Sequence, residues 1–466
     1  MKNYNLQFLF YDYETFGINT SLDKPSQFAY IRTDNDFNII GSPKCLYCYP
    51  SIDYLPNPKA LLITGITPQY TKKYGMNEFF FSKKIFKILN SSKTCILGYN
   101  NIKFDDEFTR NIFYRNFLDP YSWSWRNQNS RWDVILIIRA CHVLFPKLLI
   151  WPKDSSGVIS FRLEYLTKLN NIDHNAHDAL SDVYATLELI KLIRNKIPEL
   201  FNFLFQYRLK DNLKRIIHVD KYVPLIFISN IFGNVRNNVS CIIPIFWNTK
   251  NDNMLIFFDS HMCLKNCIQY LKNIDVMDIT VKKLNSIGIR FLYVNQCPIL
   301  IPLNFFTKKR LFCLGFDSNK FNIKINILKK NSQLINKIFI FFKNHSYHNV
   351  HNDVDLKIYD SFFCQYDRML MKKIHNYKIH YWNNMKFSFL DKKLYEMFFR
   401  LKARNFPDLL NQKEKSVWIK HCLKYLNSEN INKYLQEINN LIKLYRFQKS
   451  KLYLLLELKK YIYSIH

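Results

Sequence analysis

The stretch "FLFYDYETFG", residues 8–17, constrains this chain more than any other. Its apolar run reads as a strand buried on both faces, the pattern of a sheet covered by helices. Asp12 and Glu14 break that run two residues apart. Side chains alternate across a strand, so both carboxylates lie on one face. Two such groups side by side in a poorly solvated place repel each other and resist joint ionisation. A divalent cation between them removes the conflict, and Mg2+ takes hard oxygen ligands of this kind. The plain alternative is a solvated strand end, which a lone D-x-E fits as well.

The surrounding segments predict an α/β domain built on a mixed sheet over residues 1–195. "LQFLFYDY", "SQFAYIRTD" and "TCILGYN" read as strands, interleaved with helical segments. "TPQYTKKYG" starts a helix with Thr67 as its N-cap and Pro68 in the first turn. "FDDEFTRNIFYRNF" predicts a second, and "HDALSDVYATLELIKLIRNKI" a third, with Leu180, Val183, Leu187 and Ile190 as its apolar stripe. Short β-branched and aromatic runs ("PLIFISNIFG", "CIIPIFW", "NMLIFFD", "IRFLYVNQCPILI") then predict a small β-rich domain over 198–350. Helical periodicity returns from "DVDLKIYDSFF" onward and predicts an all-helical domain over 354–466.

At 466 residues, 48% hydrophobic and 17% aromatic, the chain has ample material for several cores and is not disordered. No apolar run approaches the roughly 18 residues of a membrane span. The opening "MKNYNLQFLF" runs into a strand without a cleavage site or Arg-rich presequence, so a cytoplasmic protein without a membrane partner is expected. The 11 cysteines are scattered and odd in number, which argues against a disulfide framework. Cys45 and Cys48 in "CLYC" lack the second pair of a zinc ribbon and read as buried thiols. The net charge of +30 points to a polyanionic partner, nucleic acid before a membrane surface, although part of the Lys excess fits drift in an AT-rich genome.

Two further clusters complete a pattern. "GYNNIKFDDEF" places Asp105 just past an apolar strand as a helix begins. "HNAHDALSDVYAT" places His177 five residues before Asp182, with Ala179 and Ala185 on the Asp182 face of the helix, where small side chains leave room for a metal and a phosphate. The order D-x-E, N-x-x-x-F-D, H-x-x-x-x-D resembles the DEDDh 3′→5′ exonuclease superfamily. "DYETFG", "DYLPNPKALLITGITPQ", "KTCILGYNN", "FDDEFTRNIFYRNFLDPYSWSW", "IYDSFFCQYDR" and "KARNFP" resemble its bacterial exonuclease I family along the full length.

That resemblance implies a ribonuclease H-like exonuclease domain, an SH3-like middle domain and a helical C-terminal domain. It implies processive release of 5′-mononucleotides from the 3′ end of single-stranded DNA, in repair or recombination. It implies two Mg2+ ions about 4 Å apart, with Asp12 between them, Glu14 and Asp182 completing one site, and Asp105 at the second. Glu14 also meets the 3′-terminal nucleotide, and His177 serves as general base, its unperturbed pKa lying near operating pH. The implied partner is single-stranded DNA-binding protein, and the chain is expected to be a monomer.

For the strand itself, "RNIFYRNFLDPYSWSWRNQNSRWD" interleaves cations with rings, as single-strand grooves do. Tyr121 and Trp125, in a loop, are the stacking candidates, whereas Phe113 and Phe117 read equally well as core; Arg110 is a phosphate candidate. Arg139, inside the apolar helix "DVILIIRACHVLF", needs an anion if buried, either a DNA phosphate or an internal carboxylate. Arg162 in "SFRLEYLTK" matches the family pattern near the metals, and Lys210 follows the first domain. An RNA 3′-exonuclease with the same five residues, or a basic binding protein without catalysis, are the competing readings.

Overall fold

The computed structural model describes residues 6–345 and 351–465. In chain order the first part contains β1 (Gln7–Thr15), β2 (Pro25–Thr33), β3 (Lys44–Tyr47), α1 (Pro58–Thr64), α2 (Pro68–Tyr74), α3 (Glu78–Leu89), β4 (Thr94–Gly98), α4 (Asp105–Arg115), β5 (Ser130–Asp133), α5 (Val134–Leu144), α6 (Leu163–Leu169) and α7 (Ala179–Lys196). The strands form one sheet in the order β3-β2-β1-β4-β5. Antiparallel β1–β2 and parallel β1–β4 pairing make it mixed, as expected. Thr67 caps α2 by accepting from the Tyr70 N–H at 3.1 Å, with Pro68 in the first turn.

The middle part contributes a second sheet, β6 (Leu225–Ile228), β7 (Val239–Trp247), β8 (Met254–Asp259), β9 (Ile289–Tyr293) and β10 (Ile299–Pro302), in the order β10-β6-β7-β8-β9. Its four runs of apolar sequence all become strands. Residues 308–344 do not continue the β pattern; they form three helices. Phe321 and Leu328 are buried there at helical spacing, as are Ile338 and Phe342, so period 3.6 rather than alternation governs this stretch. From residue 352 all described regular structure is helical, as expected.

Two compact units emerge. One combines residues 1–131, 173–187 and 348–466; the other combines 132–172 and 188–347. In the first, the helical tail shares an interior with the early sheet domain: Phe79, Tyr114 and Phe117 pack with Trp382, Leu394 and Met397. The "KARNFP" segment makes polar ties. The Asn405 side chain accepts from the Phe79 N–H at 2.9 Å, and Arg404 bridges Asp53 at 2.8 Å and Asp355 at 2.7 Å. The second unit packs its sheet between two apolar clusters, one around Ile256 and Phe258, the other around Phe257 and Leu300.

Within the first unit, the geometry of β1 decides where chemistry can occur. Its parallel pairing with β4 ends at Phe10↔Leu97, whereas its pairing with β2 continues to Thr15. The second half of β1 therefore projects past the end of β4. Gly98 closes β4 because a Cβ there would lie 2.6 Å from the Tyr11 carbonyl oxygen. The chain turns at that point and enters α4.

Candidate active site

Asp12 and Glu14 stand on the projecting half of β1, and Glu14 is only 8% exposed. Beyond the end of β4, the Tyr13 N–H has no strand carbonyl opposite it on that side and donates to Asp105 Oδ1 at 3.2 Å. Asp105 is held there by its neighbour: buried Asp106 accepts from the Tyr11 hydroxyl at 2.5 Å and pairs with Arg131. Both acids occupy the first turn of α4, where the helix dipole favours negative charge. Asp182 arrives from the first turn of α7. Asp12, Glu14 and Asp182 each offer a carboxylate oxygen, all within 4.8 Å of one another.

This clustering has an electrostatic cost. Burial, then the charges of Asp105, Asp182 and Glu14, hold the Asp12 carboxyl well above the usual range. Burial, then Asp182 and Asp178, push Glu14 up to about 8. A hard divalent cation fits the donor set, since every candidate ligand is a carboxylate oxygen and its charge offsets the repulsion among them. A pH dependence follows. Below about 4.5 Glu14 is protonated whether the chain is folded or not. Above it the unfolded chain loses that proton while the fold retains it, so this group's contribution to stability declines until pH passes about 8. Thermal melts in chelator should therefore show the parent losing more stability from pH 5 to 8 than Glu14→Gln does. Excess divalent cation should shrink that difference, and equal pH responses would contradict the assignment.

The structure brings together Asp12, Glu14, Asp105 and Asp182, all four carboxylates named from sequence. His177 sits on the exposed loop before α7 with φ 67°, a left-handed conformation uncommon for a side-chain-bearing residue. A second imidazole from the same segment touches the cluster: His174 Nε2 bonds Asp182 Oδ1. His174 lies in the same "HNAHDALSD" segment, where the H-x-x-x-x-D spacing singles out His177 instead. Ala179 and Ala185 are fully buried, so the space they make lets α7 approach its neighbours rather than opening room for a ligand. The stripe of α7 is buried at Val183, Leu187 and Ile190 and half-buried at Leu180.

The proposed strand contacts have varied surroundings. Trp125 is 62% exposed, with Arg126 at 5.7 Å from its ring. Tyr121 is half-buried, donates its hydroxyl to the Ile358 carbonyl at 3.1 Å and meets Phe362 edge-on, so one side of it is already engaged. Arg110 pairs with Glu107, which also receives the Tyr359 hydroxyl. Phe113 and Phe117 are core, as are Trp123 and Trp132. In the second unit, Arg139 is half-buried rather than enclosed, and its guanidinium lies over the Phe161 ring at 5.7 Å. Arg162 is exposed, with its guanidinium 5.9 Å from the Tyr165 ring, and Lys210 is exposed at the first turn of the Lys210–Ile216 helix.

Comparison with known proteins adds three family matches in series: an exonuclease model over residues 9–190, the exonuclease I SH3-like domain over 208–344, and the exonuclease I C-terminal domain over 352–465. The exodeoxyribonuclease I of Buchnera aphidicola subsp. Schizaphis graminum is 50% identical over 467 residues, covering 100% of this chain and 96% of that protein. A crystal structure of E. coli exonuclease I in complex with a dA16 oligonucleotide is 39% identical with a TM-score of 0.93, covering 99% of this chain and 100% of that one. A crystal structure of SSB/exonuclease I in complex with the inhibitor CFAM is 39% identical with a TM-score of 0.92, at the same coverage.

Proposed function

The chain belongs to the exonuclease I family, and from that premise we propose that it removes nucleotides processively from the 3′ end of single-stranded DNA. The observation that carries this reading is the convergence of Asp12, Glu14 and Asp182 within 4.8 Å, with Asp105 hydrogen-bonded to the intervening strand residue. Asp12, Glu14 and Asp182 would hold Mg2+, and Asp105 a second ion. Two such ions supply charge stabilisation to the attacking and leaving oxygens of a phosphodiester displacement.

The chain's own residues do the rest. His177 accepts the proton of the attacking water, whose oxygen forms the new bond to phosphorus as the bond to the preceding nucleotide's 3′ oxygen breaks. The products are a 5′-mononucleotide and a strand shorter by one, ending in a 3′ hydroxyl. Glu14 orients the terminal nucleotide. Trp125 and Tyr121 offer ring faces to bases, and Arg110, Arg139, Arg162 and Lys210 offer charge to phosphates.

Domains over 1–195, 198–350 and 354–466 are supported by the serial family matches over 9–190, 208–344 and 352–465. Retention of the strand by the two later domains between cleavages is the proposed source of processivity. Single-stranded DNA-binding protein is the proposed partner, on the precedent of the solved SSB/exonuclease I complex. Action as a cytoplasmic monomer in DNA repair completes the reading.

The test is incubation with 3′- and 5′-labelled single-stranded DNA, duplex DNA and RNA, with Mg2+ or chelator. Stepwise loss from the 3′ end of single-stranded DNA, abolished by chelation, is the expected result. Equal turnover of RNA would favour a general 3′-exonuclease. Binding without nucleotide release would leave a non-catalytic protein.

A further inference from the structure

We propose that His174 is a positioning residue: its imidazole fixes the Asp182 carboxylate in the orientation that a divalent cation requires. This rests on the cation-binding reading above. The His174 side chain is only 4% exposed and Asp182 17%, and Nε2 of one meets Oδ1 of the other. A carboxylate oxygen has more than one lone pair, so accepting an imidazole N–H leaves Asp182 able to bind a cation.

The loop that carries His174 is pinned on its far side. The Asn175 N–H donates to Ser181 Oγ at 2.7 Å, and the Asp178 N–H to the Asn175 carbonyl at 3.4 Å. Asp178 also starts α7 by accepting from the Leu180 N–H at 3.0 Å. The imidazole thus comes from a constrained turn, whereas the Asp182 backbone is held by its helix. Of the three clustered carboxylates, Asp12 and Glu14 stand on a strand paired with its neighbour. Asp182 is the one delivered by a helix end, so an added restraint on its rotation has the most effect there. Carboxylate ligands are commonly held by such outer hydrogen bonds, and losing one weakens metal affinity by about 10–100-fold.

The experiment is a titration of the DNA-free protein with Mn2+, following the electron paramagnetic resonance of the free ion, with Mg2+ competition. His174→Ala should weaken binding about 10–100-fold, and His174→Gln, which restores a donor, should recover most of the affinity. Saturating cation should restore most of kcat to His174→Ala. If His174→Ala does not fold, His174→Leu fills the same volume without a donor and replaces it. Wild-type affinity in the donor-less variant would overturn the proposal. So would an equal loss in Ser181→Ala, which loosens the same loop without removing the imidazole. Asp182→Ala separates the two readings. Loss of affinity there with none at His174 sinks only this inference, whereas retained affinity in Asp182→Ala sinks the cation site itself.

Discussion

Asp12→Asn should melt at a higher temperature than the parent in chelator, yet release nucleotides at least about a thousandfold more slowly in Mg2+. The two effects share one cause. Desolvation, then three neighbouring carboxylates, raise the pKa of half-buried Asp12, so the fold is more stable without its charge than with it. That same crowding makes Asp12 the residue with most to give to a cation. Metal stabilisation of a phosphoryl transition state is worth several kcal/mol, and each 1.36 kcal/mol is about a factor of ten in rate. Fluorescence anisotropy with a labelled oligonucleotide should show strand binding largely unchanged, because the rings and cations proposed elsewhere would carry it. Single-turnover cleavage and differential scanning in EDTA read the two effects separately. Near-normal turnover, or a lower melting temperature in chelator, would contradict the role given to this carboxylate.

His177→Ala should lower the cleavage rate by about 10²–10⁴-fold, the usual worth of a positioned general base. Part of that loss should return at higher pH, where hydroxide takes over the proton's removal. The backbone supplies a control. His177 has φ 67°, where Gly is at ease and Ala is strained by about 1–2 kcal/mol. His177→Gly should therefore be the more stable of the two variants while losing the same activity. If Gly were active and Ala inactive, the residue's importance would lie in the turn rather than in the imidazole. If neither variant slowed cleavage while His174→Ala did so even at saturating cation, the base would have to be reassigned to His174.

Much of this site was legible in advance because its signals are local. A strand that is apolar on both sides tolerates Asp12 and Glu14 only for a reason, and alternation alone puts them on one face. Asp105 was visible because it lies where an apolar strand hands over to a helix, and Asp182 because it stands early on an amphipathic helix, five residues after His177. Contacts made by the side chains themselves were less legible. Tyr121 looked like an open loop residue, yet its hydroxyl is spent on a carbonyl 237 residues away. Arg110, a phosphate candidate by sequence, also pairs with Glu107. Ala179 and Ala185 looked like space for a ligand and are interior packing.

By itself, the order of residues determined β1, β2, β4, α2, α4, α5 and α7 of the first domain, the strands of the second sheet, and which four acids and which imidazole to consider. Those follow from periodicity, capping and motif spacing, which act over a few residues at a time. Only the tertiary structure decided that β1 outruns β4, so that the Tyr13 N–H is left to hold Asp105. It also decided that His174 bonds Asp182, and that a tail more than 200 residues later in sequence closes the core around Phe79 and Tyr114. Such choices depend on where separate segments come to rest against one another, and no local pattern encodes that distance.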